Sequence, residues 1–309
     1  MVGGTIVTPA RRAPVRAALA WVLVIPFALW ALARVAGLEN GGPLTQLMSA
    51  TPYVALGSLL PVLVAVLGRR PVAACVAVVT AVTLALCVLP RAFGDGAVAA
   101  GRPFTVLSVN LLYGRADPAA LVDLVRRVRP DVLSAQELTP DSVNRLDGAG
   151  LGQMMPFREL RAEWGAGGLG VFSRHPLNGP VVALPGGGRV EVVAVHPPQP
   201  SSENLSRWRT ALASLPSASA EIPRILAGDF NATLDHAALR EVLARGYADA
   251  ADRAGAGLVP TWPANARLPQ MITIDHVLVD ARVGVREVSV HTLPGTDHRA
   301  VVARLELPE

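Results

Sequence analysis

The sequence predicts an α/β domain carried behind three transmembrane helices. Three observations lead there: long charge-free stretches confined to the first 90 residues, short apolar runs alternating with amphipathic segments after residue 103, and polar residues recurring where those apolar runs end. The 309 residues suffice for two such parts.

Residues 17–33, 40–68 and 71–90 contain no charged side chain. A helix needs about 20 apolar residues to cross the hydrocarbon core, so the region 1–90 reads as three spans at about 17–36, 50–68 and 71–90. The first is short, and Arg16 and Arg34 would snorkel at its ends. A signal peptide competes for this stretch, because Arg11, Arg12 and Arg16 form a basic leader. No small-residue cleavage site separates it from the two spans that follow, so it is expected to be retained. The tight GRRP at 68–71 predicts a helical hairpin whose second arm opens at Pro71, where a missing N–H does no harm.

All 28 basic side chains are arginine; six precede residue 91, against the single acid Glu39. From residue 91 onward, 22 arginines meet 23 acids, a net charge of about −1, so composition implies no polyanion-binding surface. Arg11, Arg12 and Arg16 fall on the same side of the spans as Arg69 and Arg70, which the positive-inside rule makes cytoplasmic. Three spans then put the C-terminal domain outside: a multi-pass protein of the cell membrane, with its N-terminus in the cytoplasm. Cys75 and Cys87 both lie in the third span, which leaves no disulfide framework for the remainder. No protein partner is implied.

Residues 91–103, RAFGDGAVAAGRP, read as a linker rich in Gly and Ala. The domain at 104–309 begins with a strand, FTVLSVNLL, then an amphipathic helix with Leu121, Leu124, Val125 and Val128 on one face, which Pro130 ends. Further strands are expected at DVLSAQEL, GLGVFSR, RVEVVAVH, RILAGDF, MITIDHVLV, VGVREVSV and AVVARLEL, with helices around 202–215 and 235–245. About 200 residues in this alternation build one α/β domain with a substantial core.

Polar residues collect at the strand ends: Asn110, Gln136 with Glu137, His196, Asp229 with Asn231, Asp275, and Asp297 with His298. Any one is ordinary junction chemistry, since Asp and Asn hydrogen-bond their own backbone in turns. The whole set fits a ring of ligands and bases along one sheet edge, where α/β proteins place their sites. His276 should point away from Asp275 across the strand, and His236, opening a helix, reads as structural.

The ordered set SVN, AQE, GVFSR, AVH, AGDFN, TW, IDHVL and TDHRAV over residues 104–309 resembles the endonuclease/exonuclease/phosphatase family, whose superfamily includes DNase I, abasic-site endonucleases, sphingomyelinases and inositol polyphosphate phosphatases. The resemblance implies a four-layer α/β sandwich, two packed mixed β-sheets flanked by helices, and Mg²⁺-dependent hydrolysis of a phosphate ester, with Mn²⁺ as a substitute. It implies that Glu137 is the principal metal carboxylate, helped by Asn110, and that Asp297 is a second acid at the metal. His298 would work on water or the scissile phosphate, oriented by Asp275. Asp229 and Asn231 would position the nucleophile and the phosphate, and His196 would lie beside the phosphate. Trp262 and Arg174 are weaker expectations as substrate contacts. The substrate is a phosphodiester of nucleic acid or of a lipid headgroup; a phosphomonoesterase or a silent binding domain on the same fold are the alternatives. The spans hold no acid, His or Lys that would mark a transport pathway.

Overall fold

The computed structural model describes residues 12–94, 101–264 and 269–308. It divides into two compact units, one comprising Met1–Glu39 with Ala50–Leu89 and the other Asn40–Ser49 with Pro90–Glu309.

The first unit is helical: α1 (Arg12–Ala36), α3 (Thr51–Gly57), α4 (Leu59–Leu67) and α5 (Pro71–Val88), while α2 (Gly42–Met48) belongs to the second. Small side chains bring its helices together, with Ala20, Ala65 and Ala73 buried in one cluster. Large apolar side chains face outward instead, among them Val22, Leu29, Leu56, Leu67, Val72 and Leu86. Only part of the three-span expectation is met. Among the described residues, Pro71–Ala92 is the one helix long and apolar enough to cross a membrane. The second expected span is interrupted at Ser58, because Pro61 has no N–H to return to the carbonyl of Gly57. It makes a second candidate only if Gly42–Met48 and Thr51–Leu67 count as one bent span, and the first expected span is a shorter apolar helix, Ala20–Ala36.

The second unit holds two six-stranded sheets. One runs β11 (Gly284–Thr292), β12 (Arg299–Leu307), β1 (Arg102–Asn110), β2 (Val132–Gln136), β4 (Leu169–Ser173), β3 (Phe157–Arg161). The other runs β5 (Leu177–Asn178), β6 (Val181–Ala183), β7 (Arg189–Val195), β8 (Arg224–Asp229), β10 (Asp275–Asp280), β9 (Tyr247–Asp249). Each sheet is mixed: β1–β2 and β7–β8 are parallel, the other pairs antiparallel. Period-two alternation sends Val106 and Val132 into the core between the sheets while Leu107 and Leu133 go outward. There they meet α6 (Pro118–Val128), α7 (Pro140–Gly148) and α8 (Leu151–Met154). On the second sheet Leu226 packs outward against Trp208 of α9 (Leu205–Ala213) and Leu239 of α10 (Ala237–Leu243). The short α11 (Ala250–Arg253) follows β9. Four layers result, and because both faces of each sheet are covered, the strands read as nearly continuous apolar runs. Ser134 ties the sheets together by donating to the carbonyl of Ala227 at 2.8 Å.

The expected linker at 91–103 is mostly taken up by the second unit. Leu89–Ala92 form a 3₁₀ turn whose Arg91 is buried, and β1 starts at Arg102 rather than at 104. Residues 95–100 of that stretch lie outside the described residues.

Candidate active site

Strand register brings the polar strand ends together. Asn110 sits opposite Gln136 where β1 and β2 end, Val195 opposite Gly228 where β7 and β8 end, and Asp275 opens β10 opposite Asp229. His298 and Asp297 precede β12, which runs antiparallel to β1 and so begins at the same edge. Side chains far apart in sequence thereby meet at one end of both sheets.

The backbone there is unusual. Leu112, Tyr113, Glu137 and Asn231 all adopt positive φ, between 48° and 54°, a region that disfavours residues with side chains and is a frequent mark of functional turns. Gly228 is required by a close approach: a Cβ there would lie 1.9 Å from the carbonyl of Val195. The glycine of AGDFN thus lets β7 and β8 close together just before Asp229.

Asn110 bridges two carboxylates, its Nδ2 donating to Glu137 Oε1 and Asp229 Oδ2 at 3.1 Å each. Its Oδ1 accepts from the N–H of Leu112 at 2.9 Å, so its amide is fully engaged in bracing the two carboxylates and this turn. Glu137 Oε2 accepts from the N–H of Tyr113 at 2.7 Å. Asp229 Oδ1 accepts from the N–H of Asn231 at 2.8 Å, and Asn231 Nδ2 donates to the carbonyl of Pro197. These bonds are those of a turn, and the same turn places the Asp229 carboxylate among the polar strand ends.

His298 Nδ1 donates to Asp275, 3.0 Å from Oδ2 and 3.2 Å from Oδ1. Its Nε2 lies 3.7 Å from Asp229 Oδ2 and 3.9 Å from Asp297 Oδ1. His196 faces the same space, with Nε2 3.5 Å from Asp229 Oδ2 and 3.8 Å from Glu137 Oε1, while its Nδ1 is held by the carbonyl of Ala166. Burial opposes charge on His298, but the carboxylates of Asp275 and Asp229 win and push its pKa up to about 10. Burial likewise works against an ionised Asp229, yet His298 and His196 hold it below the usual carboxylate range. Burial pushes Asp275 up, with His298 pulling the other way.

Two threonines fix the dyad that sequence reading did not single out. Thr261 Oγ1 accepts from the N–H groups of Ile274 and Asp275, and Thr296 Oγ1 donates to the carbonyl of Asn110 while accepting from the N–H of His298. For Thr296 the available clue is its place two residues before His298, where a hydroxyl often closes a turn; Thr261 acts across thirteen residues of sequence and left no local signal.

Arg174 is not at the site. It follows Ser173, which pairs with Val132 at the start of β2, whereas the site lies at the Gln136 end, roughly 13 Å of strand away. Trp262 is at the site, donating from Nε1 to Asp297 Oδ2 at 3.1 Å, so it secures that acid. His276 does point to the other face, bonding Asp249 and the carbonyl of Ala232, and His236 is buried in structural contacts.

Donor atoms of Asp229, Asp275 and His298 lie within 4.8 Å of one another, a grouping able to hold a metal ion. The His298–Asp275 bond already engages Nδ1 and both Asp275 oxygens, which makes this trio better suited to handling protons. A divalent cation fits the wider set. Glu137, Asp229, Asp275 and Asp297 bring four carboxyl groups together, and among the described residues their ion-pair partners are His196 and His298 alone. The carboxyl groups outnumber the two rings, and Asp297 Oδ1 is buried without a hydrogen-bond partner. Burying such charge uncompensated is costly, and oxygen-rich ligand sets are what hard cations prefer.

Comparison with known proteins accords with this geometry. The model of the endonuclease/exonuclease/phosphatase family matches residues 107–298. The chain belongs to that family. Members of the endonuclease/exonuclease/phosphatase family are generally hydrolases of phosphoesters that use divalent metal ions. A search of curated proteins finds no match. Among solved structures, an endonuclease/exonuclease/phosphatase from Beutenbergia cavernae is similar at 21% identity and TM-score 0.52, over 67% of this chain and 72% of that one. D. rerio TDP2, solved in complex with a single-strand DNA product, is similar at 17% identity and TM-score 0.51, over 66% of this chain and 99% of that one. At these identities the likeness speaks for the shared fold.

Proposed function

We propose that the chain is a membrane-anchored, Mg²⁺-dependent phosphoesterase that hydrolyses a phosphodiester by in-line attack of water. The observation that carries this reading is the meeting of four carboxyl groups and two histidines at one sheet edge. Glu137 and Asp297 are the acids that would hold the cation, with Asn110 fixing the Glu137 carboxylate. When bound, Mg²⁺, or Mn²⁺ in its place, neutralises charge on the non-bridging oxygens of the phosphate.

The chain's own groups do the rest. Asp229, ionised and anchored by Asn231 and Asn110, takes the proton of the attacking water. His298, kept charged by Asp275 and Asp229, presents its Nε2–H to the phosphate oxygens as charge builds on them. His196, whose Nε2 also faces Asp229 Oδ2, supplies a second donor.

Membrane attachment rests on α5 and the turn after it. The window of Pro71–Ala92 has a mean hydropathy of 2.7 and only 28% of it is buried, the surface of a helix that needs an apolar solvent. Arg69 and Arg70 precede this helix and the second unit follows it, which by the positive-inside rule sets the catalytic unit outside the cytoplasm.

The test is a panel of single- and double-stranded DNA, RNA, phospholipids and inositol phosphates, incubated with the detergent-solubilised full chain and Mg²⁺, Mn²⁺ or EDTA. Hydrolysis that EDTA abolishes and Mg²⁺ restores supports the reading. Activity unchanged in EDTA would overturn the metal dependence.

A further inference from the structure

Two segments of the catalytic unit, residues 40–49 and 90–94, are the places where the chain passes to and from the apolar helices. Both are docked onto loops that build the active site. Arg91 makes a buried bidentate pair with Asp235, at 2.9 Å and 2.6 Å. The carbonyl of Thr45 accepts from His236 Nε2 at 2.8 Å. Asp235 and His236 belong to the turn that directly continues from Asp229 and Asn231. The carbonyl of Arg91 also accepts from the N–H of Gly257, at the start of the loop that carries Thr261 and Trp262.

Arg91 is part of the membrane-span candidate Pro71–Ala92. Asp235 is bonded to the 3₁₀ turn through which the chain enters this unit, and its position six residues beyond Asp229 puts the two at most about 21 Å apart along the extended chain. However the two units are arranged, the site stays within a few tens of ångströms of the helix end. A headgroup layer is several ångströms deep on each side of the hydrocarbon core.

The surface agrees. Among the described residues of this unit, eight large apolar side chains are exposed, and five of them (Leu47, Phe93, Leu258, Val259 and Met271) lie on the docked segments or the 257–272 loop. Tyr113 and Trp164 lie on loops that bond Glu137 and His196, with Trp164 72% exposed. Exposed apolar and aromatic side chains on the segments where the chain enters this unit and on the loops that bond site residues suit a lipid interface. The near balance of arginines and acids from residue 91 onward offers no general electrostatic capture of long polyanions.

Building on the phosphoesterase reading, we infer that the substrate is the headgroup phosphoester of a lipid in the protein's own bilayer, presented to a catalytic edge held at the membrane surface. In this reaction water attacks phosphorus, the P–O bond to the leaving alcohol breaks, and the proton that Asp229 takes from the attacking water is returned to the departing alkoxide.

The experiment reconstitutes the full chain into phosphatidylcholine vesicles with Mg²⁺. Phosphatidylglycerol (a diester) or phosphatidic acid (a monoester) is placed either in the same vesicles or in separate protein-free vesicles. Bis(p-nitrophenyl) phosphate and a single-stranded oligonucleotide are the soluble arms, and Glu137→Gln identifies turnover that belongs to this site. The expected result is at least tenfold faster turnover of one of the lipids in the protein's own bilayer than in separate vesicles. Equal turnover in both, or hydrolysis of the soluble arms without either lipid, overturns the inference and leaves the phosphoesterase reading standing. If no arm is hydrolysed, or Glu137→Gln hydrolyses all of them as well as the parent does, that reading fails and this one falls with it.

Discussion

At Asp229 one side chain meets two demands. It closes the turn by accepting from Asn231, and it presents its other oxygen to His196, His298 and Asn110. Glu137 has a comparable double role, tied to Asn110 and Tyr113 while facing His196. Glu137→Gln keeps the shape but removes the charge, so kcat should fall by about a hundredfold or more while circular dichroism stays unchanged, and Mg²⁺ binding by calorimetry should weaken. His298 and Asp275 act as one unit through their hydrogen bond. His298→Ala should cost about a hundredfold or more, and adding Asp275→Asn should cost little beyond that, because groups acting together are strongly non-additive. A double variant slower than the single by the full product of the two losses would show that they act separately.

The turn at 232–236 decides how the elements around the site are joined. His236 Nδ1 accepts from the N–H of Thr233 and its Nε2–H donates to Thr45, an arrangement that requires the neutral ring. Burial accordingly lowers its pKa to about 4. The folded state binds this proton less readily than the unfolded chain does, so the stabilisation is fully present above about pH 6.5 and is lost as pH falls towards 4. The effect is on the order of 3 kcal/mol. Thermal unfolding of the full chain in detergent should show Tm falling across that window, and His236→Gln should flatten the slope. Arg91 and Asp235 form the neighbouring link. Arg91→Leu strips a buried carboxylate of its guanidinium and should destabilise the catalytic unit by about 3 kcal/mol or more, whereas Arg91→Met with Asp235→Leu should recover most of the loss. No recovery in the double variant would mean that the pair contributes more than charge compensation.

For the whole molecule, an apolar helical stretch of 22 residues leads directly into a four-layer domain. The full chain should stay in the membrane pellet after alkaline carbonate extraction, and protease added to intact cells should degrade the catalytic unit while protecting α5. Release by carbonate would refute membrane insertion, and protection of the catalytic unit until cells are broken would refute the outward orientation.

Much of this was legible in the sequence because strands covered on both faces leave long apolar runs, and because site residues had to stand where those runs end. The eight expected strands all appear, and Glu137, Asp229, Asp275, Asp297, His196 and His298 meet as the motifs implied. Strand β3 was not legible, since its FRELR is mostly exposed and lacks apolar alternation. Helix α7 escaped for a similar reason: it is defined by a capping box at Thr139 and Ser142 rather than by a periodic face. Arg174 looked like a site residue in the motif GVFSR, and only the antiparallel register of β2 and β4 sends it to the far edge. The stretch 91–103 looked like free linker, and only the fold brings Arg91 to Asp235 across 144 residues of sequence. Composition and periodicity, being local, determined the classes of element and the identities of the chemical groups. Which end of a strand a residue reached, and which distant charge it met, depended on pairing partners that no local window of sequence contains.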